Sequence, residues 1–176
     1  MANASPLPSI KDVAFGDLER ELKVTRKVLE RLPEKHFNWK PHEKSMHLGR
    51  LAMHVATLPQ WMVTTLTQDE LDFANPPQIR TDATNHADLL QEFDKHAAEV
   101  KVALARTDDT TLQRPWRVRQ GEKVLHSNTK AAIFRVWCLN HMVHHRAQLC
   151  LYLRLLNVPV PAVYFNSADE PEWMFE

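Results

Sequence analysis

The sequence predicts an all-α protein: a bundle of four helices with a short irregular or β-ribbon insertion between the third and the fourth. Four long stretches carry apolar residues at spacings of three and four, the period of a helix that buries one face. Only three glycines accompany eleven prolines, a poor supply for the tight hairpins of a β fold. The 176 residues suit one core, so we expect residues 1–176 to form a single domain.

The first half of the chain predicts two helices. The first is expected from Ser9, its N-cap, to Leu32, because Pro33 ends the helical pattern. Ser45 is the expected N-cap of the second helix. Pro59 interrupts the apolar face of that helix and has no N–H for the preceding turn, so it predicts a kink but not an end. The residues of this face are Leu48, Leu51, Val55, Leu58 and Met62.

The second half predicts two more helices with a polar interruption between them. The third helix is expected from Thr84 to Arg106. The helical period is lost from Thr107 to His126, and Gln120–Gly121 marks a turn, which predicts a loop with at most two short strands. The fourth helix is expected from Ser127 to Leu156, before Asn157 and Pro159 stop it.

Charge and hydropathy argue against several partners. The 22 Lys and Arg residues balance 22 Asp and Glu residues without a basic run, so we expect no nucleic-acid partner. No stretch approaches the roughly 18 apolar residues of a membrane span, and residues 1–8 lack the pattern of a signal peptide. We therefore expect a cytoplasmic protein without a membrane partner. Cys138 and Cys150 would lie about 18 Å apart on one helix, which predicts free thiols without a disulfide.

Two of the ten histidines form a pair with metal-binding geometry. His141 and His145 are four residues apart on the fourth helix, so their rings lie one above the other on one face. Two such imidazoles can converge on one ion. They also lie in the apolar stripe between Trp137 and Tyr152, where an uncoordinated polar pair would be poorly solvated.

The second helix offers a third ligand. His54 is flanked by Leu51 and Leu58 at spacings of three and four, so it is expected to face the core. His47 shares that general direction but lies about 10 Å away along the helix axis, so only one of the two can meet the pair. The central position of His54 among apolar residues favours it over His47.

The remaining histidines and Arg146 receive other roles. His144 is rotated about 100° from the ligand pair, which predicts a supporting or interface residue. Arg146 is expected to point away from the ligand face and to serve an ion pair or a subunit contact. Five histidines are expected to be solvated: His36, His42, His86, His96 and His126.

Other helical metal motifs do not fit the chain. A zincin needs Glu directly after the first histidine, but Met142 follows His141. A di-iron bundle needs Glu-x-x-His motifs, and the sequence contains none. A bis-histidine haem needs ligands on opposite sides of the macrocycle, which adjacent turns of one helix do not provide. A mononuclear three-histidine site remains, with histidines that merely pack in the core as the alternative.

Three segments form a pattern along nearly the whole chain. They contain Leu32-Pro33 with Trp39-Lys40-Pro41 and His54-Val55-Ala56, then His141-Met142-Val143-His144-His145-Arg146-Ala147-Gln148, then Tyr152-Leu153-Arg154 with Val158-Pro159-Val160-Pro161. In this pattern the chain resembles the DinB-like superfamily of small metal-binding bundles, which includes the YfiT-type proteins. It departs from that superfamily after Tyr164, where Phe165-Asn166 replace a glycine and a proline of many relatives.

The resemblance implies the same ligands and suggests an activity. The superfamily's histidine positions map onto His54, His141 and His145, which would bind one divalent transition metal ion, with Zn or Ni favoured. Some members are thiol-dependent S-transferases or isomerases. The resemblance therefore implies a metal-dependent transferase whose partners are a small-molecule substrate and a low-molecular-weight thiol. The alternatives are a metal-dependent hydrolase, a non-catalytic metal-binding stress protein and an interaction module.

Further residues are expected near the ion. Leu58, Trp61 and Thr65 follow His54 at spacings of four, seven and eleven and are expected to line a substrate pocket. Gln148, one turn after His145, is the fourth candidate for this pocket and could steer a bound water, or it could be a packing amide. The general base is not identified.

Two further expectations concern the molecule's periphery. The acidic segment Asp169–Glu172 could fold back and supply a fourth ligand. Five tryptophans and the dimeric state common among relatives predict a homodimer with an interface of helix faces.

Overall fold

Four long helices and a small sheet make up the fold. The computed structural model describes residues 8–171, so Glu172 and most of the segment 1–8 lie outside the described residues. The long helices are α2 (Leu18–Glu30), α3 (Leu48–Thr67), α4 (His86–Ala105) and α7 (Asn140–Leu155). The short helices are α1 (Ile10–Phe15), α5 (Asp109–Gln113) and α6 (Lys130–Ile133), with a 3-10 turn at Glu34–His36. The strands are β1 (Glu70–Asp72), β2 (Pro115–Gln120) and β3 (Lys123–Thr129).

The long helices share one apolar core. Helix α3 packs against α4 and α7, and α2 packs against the same two helices. Each contributes side chains that are almost completely buried, among them Leu29, Leu51, Phe93 and Leu149. This arrangement agrees in outline with the predicted bundle, and no helix within residues 8–171 is long and apolar enough to cross a membrane.

The predicted first helix is two helices. Ser9 caps α1 as expected, because its hydroxyl accepts a hydrogen bond from the Asp12 N–H at 3.1 Å. The helix then breaks between Phe15 and Leu18. Phe15 is buried against the Phe134 ring, and Asp17 pairs with Arg135 at 2.9 Å. These tertiary contacts accompany a break that the apolar spacing did not indicate.

The N-cap predicted for the second helix was wrong. Helix α3 begins at Leu48, with His47 as its N-cap in place of Ser45. The helix then continues through Pro59 to Thr67, so the prediction that Pro59 does not end it is confirmed.

The all-α prediction holds only in part, because the mostly helical chain also contains a three-stranded sheet in the order β1-β2-β3. The predicted ribbon is the antiparallel pair β2–β3, whose turn contains Gly121 with a φ of 57°. The unexpected strand is β1, which pairs parallel to β2 with Glu70 opposite Arg117. Leu71, Trp116 and Val118 from this sheet form a second small core with Ile133, and Trp61 packs against both cores.

The fourth helix starts later than predicted and is not regular. Strand β3 occupies the chain up to Thr129, whose side chain caps α6. A π-helical turn, Phe134–Leu139, then separates α6 from α7. The predicted stop is confirmed, because α7 ends at Leu155 and Asn157 adopts the left-handed conformation with a φ of 57°.

Candidate metal centre

Three histidines from two helices meet at one point. His54 comes from the middle of α3, and His141 and His145 come from the first turns of α7. The His54 and His141 Nε2 atoms are 3.4 Å apart, and the His141 and His145 Nε2 atoms are 2.8 Å apart. One ligand atom of each ring lies within 4.8 Å of the others. Tetrahedral zinc with bonds of about 2.0–2.1 Å separates its nitrogens by roughly 3.3 Å, so the three rings could hold a metal ion.

Hydrogen bonds fix the tautomer of two of these rings. The His141 Nδ1 lies 3.2 Å from the Trp137 carbonyl oxygen, and the His145 Nδ1 lies 2.7 Å from the Gln148 Oε1. Both oxygens only accept hydrogen bonds, so each Nδ1 carries the proton and each Nε2 keeps its lone pair. Such partners orient metal-binding histidines and make them more basic ligands. Gln148 is therefore a positioning residue for His145.

This pair of tautomers brings two lone pairs together. The Nε2 atoms of His141 and His145 both act as acceptors at a separation of 2.8 Å, a repulsive arrangement unless a cation or a proton lies between them. Burial lowers the pKa of both imidazoles, although the hydrogen bonds to the Trp137 carbonyl and to Gln148 oppose this effect. The site therefore disfavours the proton and suits a metal ion.

The third ring is also held neutral. Burial, followed by the nearby His145, His141 and Arg50 side chains, lowers the pKa of His54 to about 4. A neutral imidazole offers its lone pair to a metal without competition from a proton near neutral pH.

The described residues supply three protein ligands. Within residues 8–171, no further His, Cys, Asp or Glu joins this group. The proposed contribution of the acidic C-terminal segment was wrong for the two residues that can be checked: Asp169 pairs with Arg154, and Glu170 pairs with Lys27 and Arg31. Three ligands with open positions are typical of catalytic ions, whereas structural zinc sites are closed by four.

A match to a protein-family model identifies the family of this chain. The model of the DinB family matches residues 11–174, nearly the whole sequence. The chain belongs to the DinB family.

Solved structures of DinB-like proteins share this fold. One from Bacillus cereus is 21% identical, with a TM-score of 0.67, and the match covers 86% of this chain and 95% of that one. Another, from Bacillus subtilis, is 18% identical, with a TM-score of 0.63 and coverage of 84% and 95%. The comparison with curated proteins finds no match. At these sequence identities, the similarity shows a shared fold and no more.

An apolar cavity adjoins the histidines of this DinB-family protein. It has a volume of about 240 Å³, and His54 and His141 form part of its wall. The three residues expected from α3, namely Leu58, Trp61 and Thr65, also line it, whereas Gln148 does not. The other lining residues are Leu71, Phe73, Trp116, Val118, Ile133, Trp137 and Cys138.

The cavity wall includes a thiol that is poorly suited to act as a nucleophile. Burial raises the pKa of Cys138 to about 12, although a hydrogen bond with Thr65 opposes the shift. The thiol therefore stays protonated at neutral pH, and the thiolate is the reactive form of cysteine. Cys138 and Cys150 are both free, as predicted.

Most of the wall contributed by the sheet was missed in the sequence. Leu71 and Phe73 come from β1 and the residue after it, and Trp116 and Val118 come from β2. The alternation of apolar and charged residues along Trp116-Arg117-Val118-Arg119 was the available signal. That pattern could have placed Trp116 and Val118 on one face, but it could not have directed the face toward His54.

Four of the five histidines expected to be solvated are at least partly buried. His96 is buried. Its Nε2 lies 2.9 Å from the Glu92 carboxylate, and its Nδ1 lies 2.9 Å from the Glu99 carboxylate. His86 is half-buried and contacts the Leu29 carbonyl oxygen. His126 is half-buried and stacks on Trp137 with ring centroids 4.9 Å apart. Carboxylate, carbonyl and aromatic partners thus replace water around these rings. His36 is also half-buried, and His42 is exposed as expected.

Three other predictions about polar residues have clear outcomes. Arg146 points away from the ligands, as expected, into a buried ion pair with Glu21 at 2.7 Å. His144 is exposed and touches Gln148 at 3.3 Å, which agrees with a supporting position. His47 caps α3 and pairs with Asp82, so it is separate from the three-histidine cluster.

Proposed function

We propose that this DinB-family protein is a divalent-metal-dependent transferase that joins the sulfur of a low-molecular-weight thiol to an electrophilic small molecule. The observation that carries the proposal is the juxtaposition of three convergent histidine nitrogens with an apolar cavity. A catalytic ion needs both an open position and space for a substrate beside it.

The donor set fits a Zn or Ni ion, since imidazole suits both metals. An ion held by neutral imidazoles keeps its full charge and lowers the pKa of a thiol or water that it binds. His54, His141 and His145 are the ligands in this proposal, while Gln148 and the Trp137 carbonyl hold two of the rings in place. All of these groups serve to bind the ion or to orient its ligands. The reacting sulfur comes from the thiol substrate.

The cavity is the proposed place of the electrophile. Leu58 and Trp61 form a dry wall beside His54, so the electrophile would meet the sulfur with little competing water. The thiol gives up its proton to water, the sulfur forms a bond to the electrophilic atom, and the leaving group departs with its electron pair. The Thr65 hydroxyl already donates to the Trp61 carbonyl oxygen at 2.9 Å and stabilises this wall.

Two observations favour transfer over the alternatives. No carboxylate lines the cavity, so an attacking water would have no general base from the wall and would depend on the ion alone for its activation. A thiol bound to the same kind of ion loses its proton more readily than water does. A purely structural ion would be closed by a fourth protein ligand, which residues 8–171 do not supply.

The test begins with protein that has no histidine tag. Elemental analysis establishes the bound metal, and the metal-loaded protein is then given a panel of low-molecular-weight thiols with 1-chloro-2,4-dinitrobenzene. Transfer forms the thioether and releases chloride, both of which can be quantified. The matched control is His141→Ala, which keeps the cavity volume or enlarges it but removes one ligand.

The outcomes separate the functions. Metal-dependent thioether formation by the wild type but not by His141→Ala supports the proposal. Loss of the electrophile without a thiol would indicate a hydrolase. A metal-loaded protein that forms no thioether with any thiol would contradict the transferase and favour a non-catalytic metal-binding protein.

A further inference from the structure

The cavity beside the histidines carries no formal charge on its wall. Apart from His54 and His141, its lining residues are nine apolar or aromatic side chains, together with the Thr65 hydroxyl. No carboxylate, ammonium or guanidinium group is among them. An anion brought into this space would lose its hydration without gaining an ion pair from any side chain of the wall, at a large cost in free energy.

Aromatic rings dominate the same wall. Trp61, Phe73, Trp116 and Trp137 come from four different parts of the chain and enclose one space. Aromatic rings pair with one another in offset or edge-to-face geometry. Such pairs are more favourable in free energy than their buried area alone would predict. The volume of about 240 Å³ exceeds the roughly 150 Å³ of an apolar cavity that holds benzene in another protein. There is room for one substituted ring.

We infer that the cavity selects an uncharged aromatic compound as the electrophilic substrate and rejects anionic analogues of the same size. This inference rests on the proposed function, because it takes the cavity beside the ion as the place of the electrophile. The selection comes from the wall and not from the ion, since only two of the twelve lining residues belong to the histidine cluster.

Phe73 is the position at which this selectivity can be changed. It lines the cavity but is 44% exposed, so a polar side chain there can remain partly in water. Its backbone N–H donates to the Arg119 carbonyl oxygen at 2.8 Å, which a substitution of the side chain leaves in place. Phe73→Lys therefore adds a cation to the rim of the cavity without burying it in the core.

The experiment measures binding of two unreactive probes to the metal-loaded protein by calorimetry. The neutral probe is 1,3-dinitrobenzene, and the anionic probe is 3-nitrobenzenesulfonate, in which one nitro group is replaced by a sulfonate, a weak metal ligand. We expect the wild type to bind the neutral probe roughly tenfold or more tightly than the anion. Phe73→Lys should weaken the neutral probe and strengthen the anion.

The control is Val124→Lys, which adds the same charge at an exposed apolar position of the same sheet outside the cavity. It should leave both affinities unchanged, and circular dichroism checks that both variants fold.

Equal affinities of the wild type for the two probes, or no binding of the neutral probe, would overturn the inference even if Phe73→Lys failed to fold. Metal content measured on the same samples reports on the proposed function separately: bound metal without probe selectivity refutes the inference alone, and selectivity without bound metal refutes the proposed function alone.

Discussion

At the scale of single residues, the candidate site depends on hydrogen bonds behind the ligands as much as on the ligands. The spacing of His141 and His145 and the apolar flanks of His54 were visible in the sequence, because helical periodicity fixes which residues share a face. The role of Gln148 could not be decided in the same way. Whether an amide faces a water, a neighbouring helix or an imidazole depends on its rotamer and not on its position along the helix.

The first prediction concerns a ligand. Replacing His141 by Ala should abolish stoichiometric metal and remove the metal-dependent increase in melting temperature, because metal binding adds to the stability of the folded state. His42→Ala is the matched control, since its ring is exposed in the loop before α3 and lies outside the cluster. Elemental analysis and thermal melts with and without metal check both variants. Full metal content in His141→Ala would exclude this residue as a ligand.

The second prediction concerns the hydrogen bond behind His145. Gln148→Leu removes the acceptor of the Nδ1 proton at nearly the same volume, and the metal dissociation constant should rise about 10–100-fold. Gln148→Glu keeps an acceptor and should retain tight binding. Competition with a chromophoric chelator measures both constants. Equal affinities of the Leu variant and the wild type would show that the bond does not support the site.

At the scale of elements, the long helices were predictable and their interruptions were not. Apolar spacing located α3 and α4 to within a few residues, because each buries one continuous face. Strand β1 was missed since its partner β2 lies 47 positions further along the chain, as in the pair Glu70 and Arg117, and local periodicity carries no information about such pairing. The break between α1 and α2 and the π turn at Phe134–Leu139 likewise coincide with tertiary contacts.

The π turn contributes directly to the candidate site. It contains Trp137 and Cys138, which line the cavity, and the Trp137 carbonyl oxygen that accepts from His141. Such turns occur frequently at functional sites. Because a π turn changes the phase of the helix by part of a turn, it sets how the residues before it face relative to His141 and His145. The sequence pattern of a single regular helix could not show this.

The third prediction tests the end of α3, where a buried lysine donates hydrogen bonds to backbone carbonyl oxygens. The Lys130 ammonium group donates to the Thr65 and Gln68 carbonyl oxygens and pairs with Asp69 at 3.1 Å. Lys130→Met would leave these carbonyls without a donor and should lower the free energy of unfolding by about 1–3 kcal/mol. Urea denaturation measures the change, and Lys123→Met, at an exposed position of β3, should alter it little. Similar losses in both variants would contradict a specific role for Lys130.

At the scale of the whole molecule, the C-terminal segment is fastened to the bundle by Glu170. Its carboxylate pairs with Lys27 at 2.6 Å and with Arg31 at 2.5 Å, and it accepts from the Ala162 N–H. Burial alone would raise the pKa of Glu170, but the bonds from Lys27, Ala162 and Arg31 outweigh it and lower the pKa from 4.5 to about 2. Its stabilising contribution is therefore fully present above pH 4.5 and is lost as the pH falls through 2.

The fourth prediction follows from that sign. Glu170→Gln should be less stable than the wild type at neutral pH, and the difference in unfolding free energy should shrink as the pH falls from about 4.5 toward 2. Urea denaturation at a series of pH values gives the difference at each point. A difference that stayed constant over this range would show that the charge of Glu170 does not contribute to stability.

The assembly state is the last property at this scale. The C-terminal helical region leaves large apolar side chains in water, with Val136 56%, Leu151 56% and Leu155 52% exposed. Leu151 and Leu155 are four residues apart on α7, so they lie on one face of that helix. Such a face is self-complementary when two copies meet about a twofold axis, because each residue then meets its own counterpart or a near neighbour.

The fifth prediction is therefore a homodimer that buries this face. Light scattering coupled to size exclusion should give about twice the 20.4 kDa mass of one chain. Leu151→Glu would place two like charges near the axis and should yield a monomer that still binds the metal, because Leu151 lies outside the histidine cluster and the cavity. Val102→Glu is the matched control: Val102 is 51% exposed on α4, and its replacement should leave the dimer intact. A wild type of 20.4 kDa at micromolar concentration would refute the dimer, and dissociation by the Val102 variant alone would move the interface to α4.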